Sequence, residues 1–166
     1  DVRITPIYEG TNGIQAADLV SRKLGRDGGA AMETVLQDIR DTCTKLEAAG
    51  DDRLTAIAAA LVTALAEQEQ STQWILQALR DSVPTAMGAS FEYMMQTGYL
   101  FGGWHMARSA LVALERVRSN SDNPFYEAKI ATTLYYAEQI LPRCAAHAGA
   151  VAGSAGSLQS YPVEWV

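Results

Sequence analysis

Apolar residues recur at steps of three and four along most of this chain, which is the spacing that places them on one face of an α-helix. The clearest case predicts a helix from about Ala30 to Ala49, which Gly50 ends. Polar residues fill the positions between the apolar ones, as expected for a helix with one solvent-facing side. The apolar positions of this helix are Met32, Val35, Leu36, Ile39, Cys43 and Leu46.

The middle of the chain predicts two long helices. Asp51 or Asp52 is suited to cap the first, which extends to about Asp81. Pro84 suits the first turn of the second, which extends to about Arg118 and is apolar nearly all round, as is typical of the central helix of a bundle. Three glycines of this second helix are expected to allow another helix or a ligand to come close: Gly98, Gly102 and Gly103.

A polar turn precedes the last predicted helix. Asp122 or Asn123 is the expected cap, and Pro124 takes the first helical position. Pro142 is expected to end or kink this helix. Ala, Gly and Ser then dominate as far as Ser160, which predicts a loosely ordered stretch.

The first helix is predicted from about Gly13 to Leu24. Thr11 or Asn12 is its expected cap, and Gln15 is placed for a capping box if Asn12 caps. Three glycines are expected to stop this helix: Gly25, Gly28 and Gly29.

The elements together predict an all-α fold, because no strand pattern occurs anywhere in the sequence. The expected architecture is an antiparallel up-and-down helical bundle of about four to five helices with short loops. We divide the chain into residues 1–24, the end of a larger helical domain; residues 25–148, a helical bundle; and residues 149–166, a loosely ordered tail.

Composition narrows the classes of function. The 166 residues are 48% hydrophobic, enough for one domain with a real core. The net charge of -6 argues against nucleic-acid binding, and no apolar run is long enough to span a membrane. Cys43 and Cys144 lack metal or redox spacing, so we expect buried free thiols and a cytoplasmic location. His105 and His147 have no metal-spaced partner, so no metal site is expected.

The segment from Ile7 to Gln15 carries the candidate chemistry. Glu9 lies on a predicted turn just before a helix, where a desolvated carboxylate has a raised pKa and can act as a base. Gly10 allows close approach of a ligand, and the N–H groups of residues 11–13 open a helix, which suits an anion. Taken on physical grounds alone, a Glu before a Gly at a helix start is more often a solvated cap residue.

The order of residues in this segment resembles a known family. Tyr8-Glu9-Gly10-Thr11-Asn12-Gly13-Ile14-Gln15 is similar to the catalytic-base segment of the flavin-dependent acyl-CoA dehydrogenases. The flanking segments Arg3–Ile7 and Asp18–Leu24 also resemble that family, and Phe125–Ala131 resembles a helix of its branch with an extended C-terminal region, which includes methylthiopropanoyl-CoA dehydrogenase. The resemblance reaches about Pro142.

The resemblance implies a specific chemistry. Glu9 would be the catalytic base that removes the proton α to a thioester, while the β hydrogen leaves as hydride to FAD, and its backbone N–H would help to hold the thioester carbonyl. Gly10, Thr11, Asn12 and Gly13 would contact the FAD. Electrons would pass to an electron-transfer flavoprotein, and the protein would be a homo-oligomer.

The chain begins with Asp1 and its best motif lies near that end, so we expect a C-terminal fragment that by itself binds FAD weakly and has no turnover.

Two alternatives to this interpretation remain open. One is a non-catalytic helical module for oligomerisation or docking, a role that the region after Leu24 fits because long bundle helices pack well between subunits. An acyl-CoA oxidase would share Glu9 and differ in passing its electrons to oxygen.

Overall fold

A computed structural model describes residues 11–119 and 122–159, with side chains described as far as residue 154. Short loops or turns join the helices, and no strand occurs in the described ranges. None of the helices in those ranges combines the length and apolarity needed to cross a bilayer. The helices are α1 (Asn12–Asp18), which continues as a π-helical segment (Leu19–Leu24), α2 (Ala30–Glu47), α3 (Asp52–Asp81), α4 (Val83–Gly88), α5 (Ser90–Arg118), α6 (Phe125–Gln139) and α7 (Arg143–Gln159).

The long helices form an antiparallel up-and-down bundle, which confirms the predicted fold class. α3 runs antiparallel to α5, because Gln68 contacts Thr97 and Thr72 contacts Tyr93. α2 runs parallel to α5, because Thr42 contacts Trp104 and Gly50, just after α2, contacts Arg118.

α6 and α7 both pack along α5. The Thr133 hydroxyl of α6 donates to the Met106 carbonyl at 3.2 Å, and His147 of α7 lies 2.6 Å from Glu92. Tyr136 of α6 contacts Tyr99, and Cys144 of α7 contacts Gln96. Because the residue number rises on α6 and α7 as it falls on α5, both helices run antiparallel to α5.

Two hydrophobic clusters hold the bundle together. The larger one lies between α2, α3, α5 and α6 and includes fully buried Leu46, Leu61 and Leu100. The smaller one joins the π-helical segment to α3, α4, α5 and α7 through side chains such as Val20 and Val151. The first helical segment is therefore anchored on the bundle by its own apolar face.

The start of α3 confirms the predicted cap. Gly50 has φ +63°, the left-handed conformation that glycine adopts without strain, and Asp51 follows in extended backbone. The Asp51 carboxylate accepts hydrogen bonds from the backbone N–H of Arg53 at 3.0 Å and of Leu54 at 3.4 Å. These bonds satisfy two of the donors that the first turn of a helix leaves free.

The predicted helix from Pro84 to Arg118 is interrupted once, between α4 and α5. Gly88 has low helix propensity, and the hydroxyl of Ser90 donates to the Met87 carbonyl at 2.7 Å, in competition with the backbone ladder. The chain resumes helical bonding at once, since the Tyr93 N–H donates to the Ala89 carbonyl.

α7 corrects the prediction of a loosely ordered stretch after Pro142. The helix runs from Arg143 to Gln159, past the predicted boundary at residue 149. Alanine is the strongest helix former, and Cys144 and Val151 are fully buried against the bundle. Tertiary packing therefore orders a segment whose composition alone favoured disorder.

The predicted close approach at the glycines of α5 is confirmed at two of the three. A β-carbon at Gly102 would lie 2.5 Å from the Tyr136 hydroxyl oxygen, and one at Gly103 would lie 2.7 Å from a methyl of Leu141. At Gly98 no described atom lies within 4 Å of that position. The first two glycines let α6 and the turn after it pack directly on the α5 backbone.

Candidate functional site

The described residues contain only the last part of the candidate site. Of its five residues, Glu9 and Gly10 lie outside the described residues, whereas Thr11, Asn12 and Gly13 open α1. Thr11 is the N-cap, and its carbonyl accepts the Gln15 N–H at 2.8 Å.

Thr11 takes the cap position that the sequence left open between two residues. Its side chain makes no capping hydrogen bond, and Asn12 is already helical, so a capping box of Asn12 with Gln15 does not form. The N–H groups of the first turn consequently have no acceptor within the helix.

The first turn of α1 is open to its surroundings. Asn12 and Gly13 are exposed, and no described atom lies within 4 Å of where a β-carbon of Gly13 would be. The side chain of Ile14 is 68% exposed, which is unusual for a large apolar residue on a short helix packed against a bundle. The start of α1 therefore offers backbone donors and an apolar side chain on an accessible face.

The π-helical segment fixes how α1 leaves the bundle. The N–H groups of Gly25 and Gly29 bond to the carbonyls of Val20 and Leu24, each five residues earlier, at 3.0 Å. Such wide turns are rare and recur near functional sites. Val20 and Leu24 are buried, so the segment is held by packing as well as by its hydrogen bonds.

Gly29 fixes the turn between the π-helical segment and α2. Its φ of +89° strains any other residue, and a β-carbon there would lie 2.9 Å from Leu76 Cδ1 of α3. The Asp27 carboxylate accepts from the Gly29 N–H at 3.0 Å and from the Ala31 N–H at 3.0 Å. The turn between α1 and α2 is thus fixed against α3, and with it the direction of α1.

A buried polar network lies between α3 and α5. The hydroxyls of Tyr93 and Thr72 are 2.8 Å apart, and Gln68 Nε2 donates to the Thr97 hydroxyl at 3.0 Å. Burial raises the pKa of Tyr93, and the neighbouring Thr72 and Gln68 side chains oppose that rise. Sequence reasoning did not single out this network, and the only available signal was a set of hydroxyl and amide residues at helical spacing on apolar faces.

The two cysteines are buried and free, as predicted. Burial, with a smaller contribution from Glu47, raises the pKa of the Cys43 thiol to about 11. Burial, with a smaller contribution from Glu67, raises the pKa of the Cys144 thiol to about 12. Both thiols stay protonated near neutral pH, which makes them poor nucleophiles.

The two histidines have aromatic partners. His147 stacks on Tyr99 with ring centroids 5.4 Å apart, and His105 lies 4.8 Å from the Trp104 ring. In residues 11–119 and 122–159, no group of three or more His, Cys, Asp or Glu side chains is placed to hold a metal ion.

The chain is similar to known proteins over most of its length. The family model described as "Acetyl-CoA dehydrogenase C-terminal like" matches residues 35–162. The chain is 35% identical over 158 residues to a 3-methylmercaptopropionyl-CoA dehydrogenase of Ruegeria pomeroyi, covering 95% of this chain and 27% of that protein. It is 32% identical over 151 residues to a broad-specificity linear acyl-CoA dehydrogenase of Mycobacterium tuberculosis, covering 86% of this chain and 24% of that protein. The chain thus spans about a quarter of the length of these relatives.

Proposed function

Because the chain belongs to the acyl-CoA dehydrogenase family, whose C-terminal region it matches, we propose that it is the helical end of an FAD-dependent enzyme that oxidises an acyl-CoA thioester to the 2,3-enoyl-CoA. The observation that carries the proposal is the segment Tyr8–Gln15, the base-bearing sequence of that family. The first helix begins within this segment, at Asn12.

Glu9 is the proposed catalytic base. Its carboxylate takes the proton from the carbon α to the thioester carbonyl, and its backbone N–H holds the carbonyl oxygen on which negative charge develops. The electron pair of the broken α C–H bond becomes the new carbon–carbon double bond as the β hydrogen departs with its own pair. FAD, when bound, supplies the acceptor for that hydride.

Gly10, Thr11, Asn12 and Gly13 are the residues proposed to hold the FAD. The described part of this set supports such a role, because the first-turn N–H groups are free within α1 and none of the described side chains crowds Gly13. Backbone donors at a helix start suit a pyrophosphate group. Gly13 has no side chain and that of Asn12 is short, which leaves room for the approach of a large ligand.

The remaining elements of the proposal follow from the family. The acyl-CoA is the substrate, an electron-transfer flavoprotein takes the electrons, the enzyme is a homo-oligomer, and it acts in the cytoplasm. The 166-residue chain by itself is expected to bind FAD weakly and to have no turnover, because most of the length of its relatives lies outside it.

The test uses the complete gene product. We expect a visible flavin spectrum that bleaches when one member of a panel of acyl-CoA thioesters is added without oxygen. Glu9→Gln should keep the flavin spectrum and the fold, and should slow the bleaching by roughly a hundredfold or more, since a positioned base contributes at least that much. Glu47→Gln, at an exposed carboxylate of α2, is the matched control and should bleach normally.

The outcomes separate the alternatives. A protein without flavin, or a flavin indifferent to every thioester, would favour the non-catalytic helical module. Near-normal bleaching in Glu9→Gln would remove Glu9 from the role of base. Rapid reoxidation of the reduced protein by oxygen would identify an oxidase, and slow reoxidation with transfer to an electron-transfer flavoprotein would identify a dehydrogenase.

A further inference from the structure

Two glutamine side chains are fully buried in the middle of the bundle. Gln68 of α3 and Gln96 of α5 are each 0% exposed, although burying an amide without hydrogen bonds is costly. Among the described residues, Gln68 Oε1 has no hydrogen-bond partner, and neither has Nε2 or Oε1 of Gln96. Buried polar groups of native proteins are nearly always hydrogen-bonded, so these three atoms need partners of another kind.

The two amides lie at the same level of the bundle. Gln68 Nε2 donates to the Thr97 hydroxyl at 3.0 Å, and Gln96 directly precedes Thr97 on α5. α7 reaches this level as well, since the Cys144 thiol donates to the Gln96 backbone carbonyl at 3.8 Å. The three unsatisfied atoms are therefore concentrated in the core between α3, α5 and α7.

The neighbouring hydroxyl groups have no hydrogen left to offer. The Thr97 hydroxyl donates to the Tyr93 carbonyl at 2.8 Å, and the Thr72 hydroxyl donates to the Gln68 carbonyl at 2.7 Å. The Tyr93 hydroxyl is consequently the donor in its 2.8 Å contact with the Thr72 hydroxyl. Because each hydroxyl carries a single hydrogen, none of the three can rotate to satisfy Oε1 of Gln68 without breaking one of these bonds.

The unsatisfied atoms require a ligand that both donates and accepts hydrogen bonds. The Oε1 atoms of Gln68 and Gln96 need donors, whereas Gln96 Nε2 needs an acceptor. A cation would satisfy only the oxygens, and an anion only the N–H groups. Water does both, and a buried water typically makes about three hydrogen bonds to polar groups that lack other partners.

We propose that internal water molecules occupy the core between α3, α5 and α7 and link the Gln96 amide to Gln68. The water accepts from Gln96 Nε2 and donates to the two Oε1 atoms. A polar network that is fully satisfied helps to fix one arrangement of a core, because a shift of α3 along α5 would leave the amides against apolar side chains. The site shares no residue with the segment around Glu9, so its test is independent of the proposed catalysis.

A crystal structure of the complete gene product, at a resolution that shows ordered solvent, is the direct test. We expect electron density for enclosed water at roughly 2.7–3.2 Å from Gln68 Oε1 and from the polar atoms of the Gln96 side chain. Neutron diffraction from crystals exchanged into heavy water locates the deuterons, which should point from the water to the two Oε1 atoms. It also distinguishes the oxygen from the nitrogen of each amide, which X-ray density at ordinary resolution does not.

Gln96→Met is the deciding variant. Methionine is similar in length to glutamine and lacks the amide, so the water bound at position 96 should be lost while the bond from Gln68 to Thr97 remains. Gln70→Met makes the same change at an exposed position of α3 and should keep the internal water. Circular dichroism verifies that each variant keeps its helices.

Three results would overturn the proposal. One is the absence of enclosed water beside the two amides in the unchanged protein. Another is a direct hydrogen bond from Gln96 Nε2 to Gln68 Oε1, which would join the amides without water. The third is the same water at the same place in Gln96→Met. The first two results need only the unchanged protein, so the proposal can be refuted even if the variant does not fold.

Discussion

Gly103 of α5 faces Leu141 so closely that a β-carbon at position 103 would lie 2.7 Å from Leu141 Cδ2. The Cδ1 and Cγ atoms of Leu141 would each lie 3.1 Å away, so a change of rotamer cannot clear the space without moving the branch point. Leu141 is only 2% exposed and has no route into solvent. The distance between α5 and the turn after α6 is therefore set by the missing side chain at position 103.

Gly103→Ala should destabilise the bundle. The added methyl group overpacks a buried contact, and we expect a loss of about 1–3 kcal/mol in the free energy of unfolding. Gly98→Ala is the matched control on the same helix, where no described atom lies within 4 Å of the added carbon. It should stabilise by roughly 0.5–1 kcal/mol through helix propensity. Urea unfolding of both variants measures the two effects, and a stabilising Gly103→Ala would contradict this account of the packing.

Local sequence signals were enough to predict much of this fold. The helix from Ala30 and the Asp51 cap followed from apolar spacing and from one carboxylate before a helical run. α7 was not predicted, because its alanines and glycines carry little pattern and its order depends on contacts with α3 and α5. The π-helical segment was not predicted either, since Val20 and Leu24 would share a face in an ordinary α-helix as well.

The same distinction holds for the functional features, since local sequence predicts one of them and only tertiary packing creates the other. The role of Glu9 rests on the order of neighbouring residues, which a sequence displays directly. The buried polar network depends on pairs such as Gln68 with Thr97, which come from two helices and share no local motif. Only the packing of α3 on α5 brings them together, so the sequence pattern alone could not predict the network.

Tyr93→Phe should weaken the polar network between α3 and α5. The Thr72 hydroxyl donates to the Gln68 carbonyl at 2.7 Å, so the proton in its 2.8 Å contact with Tyr93 comes from the tyrosine. Losing that buried hydrogen bond should cost about 1 kcal/mol of unfolding free energy. Tyr135→Phe, at a tyrosine that is 62% exposed, is the control and should change little. Equal urea midpoints for the two variants would show that the Tyr93 bond adds nothing to stability.

Asp51→Ala should destabilise the start of α3 by about 1–2 kcal/mol, the usual cost of losing an N-cap. Asp52→Ala, at the next and exposed carboxylate, keeps the cap bonds and should cost less. Hydrogen bonding from the Arg53 side chain is the main cause that lowers the pKa of Asp51 below its ordinary value. The folded state therefore favours the charged form, and this contribution is present above the ordinary pKa and is lost as pH falls through the lower folded value. Urea unfolding at neutral pH and near pH 3 should show the gap between Asp51→Ala and the unchanged chain shrinking in acid, and a constant gap would contradict the assignment.

The buried thiols should make the protein sensitive to alkali. Burial raises the pKa of Cys43 to about 11 and that of Cys144 to about 12, from an ordinary value of 9.0. Because the folded state favours the neutral thiols, their contribution to stability is complete below the ordinary pKa. It is lost as pH rises from that value through the folded pKa, at up to about 1.4 kcal/mol per pH unit for each thiol.

Replacing the thiols isolates this contribution from that of other groups that titrate in alkali. Urea unfolding under reducing conditions, from about pH 8 to pH 10.5, should show the unchanged chain losing stability more steeply than the double variant Cys43→Ala and Cys144→Ala. The variant should be less stable at pH 8, because each substitution leaves a small cavity in the core. The slope with pH carries the test, since a cavity costs the same at every pH in this range. Parallel slopes would mean that the thiols ionise as readily in the folded bundle as in the unfolded chain.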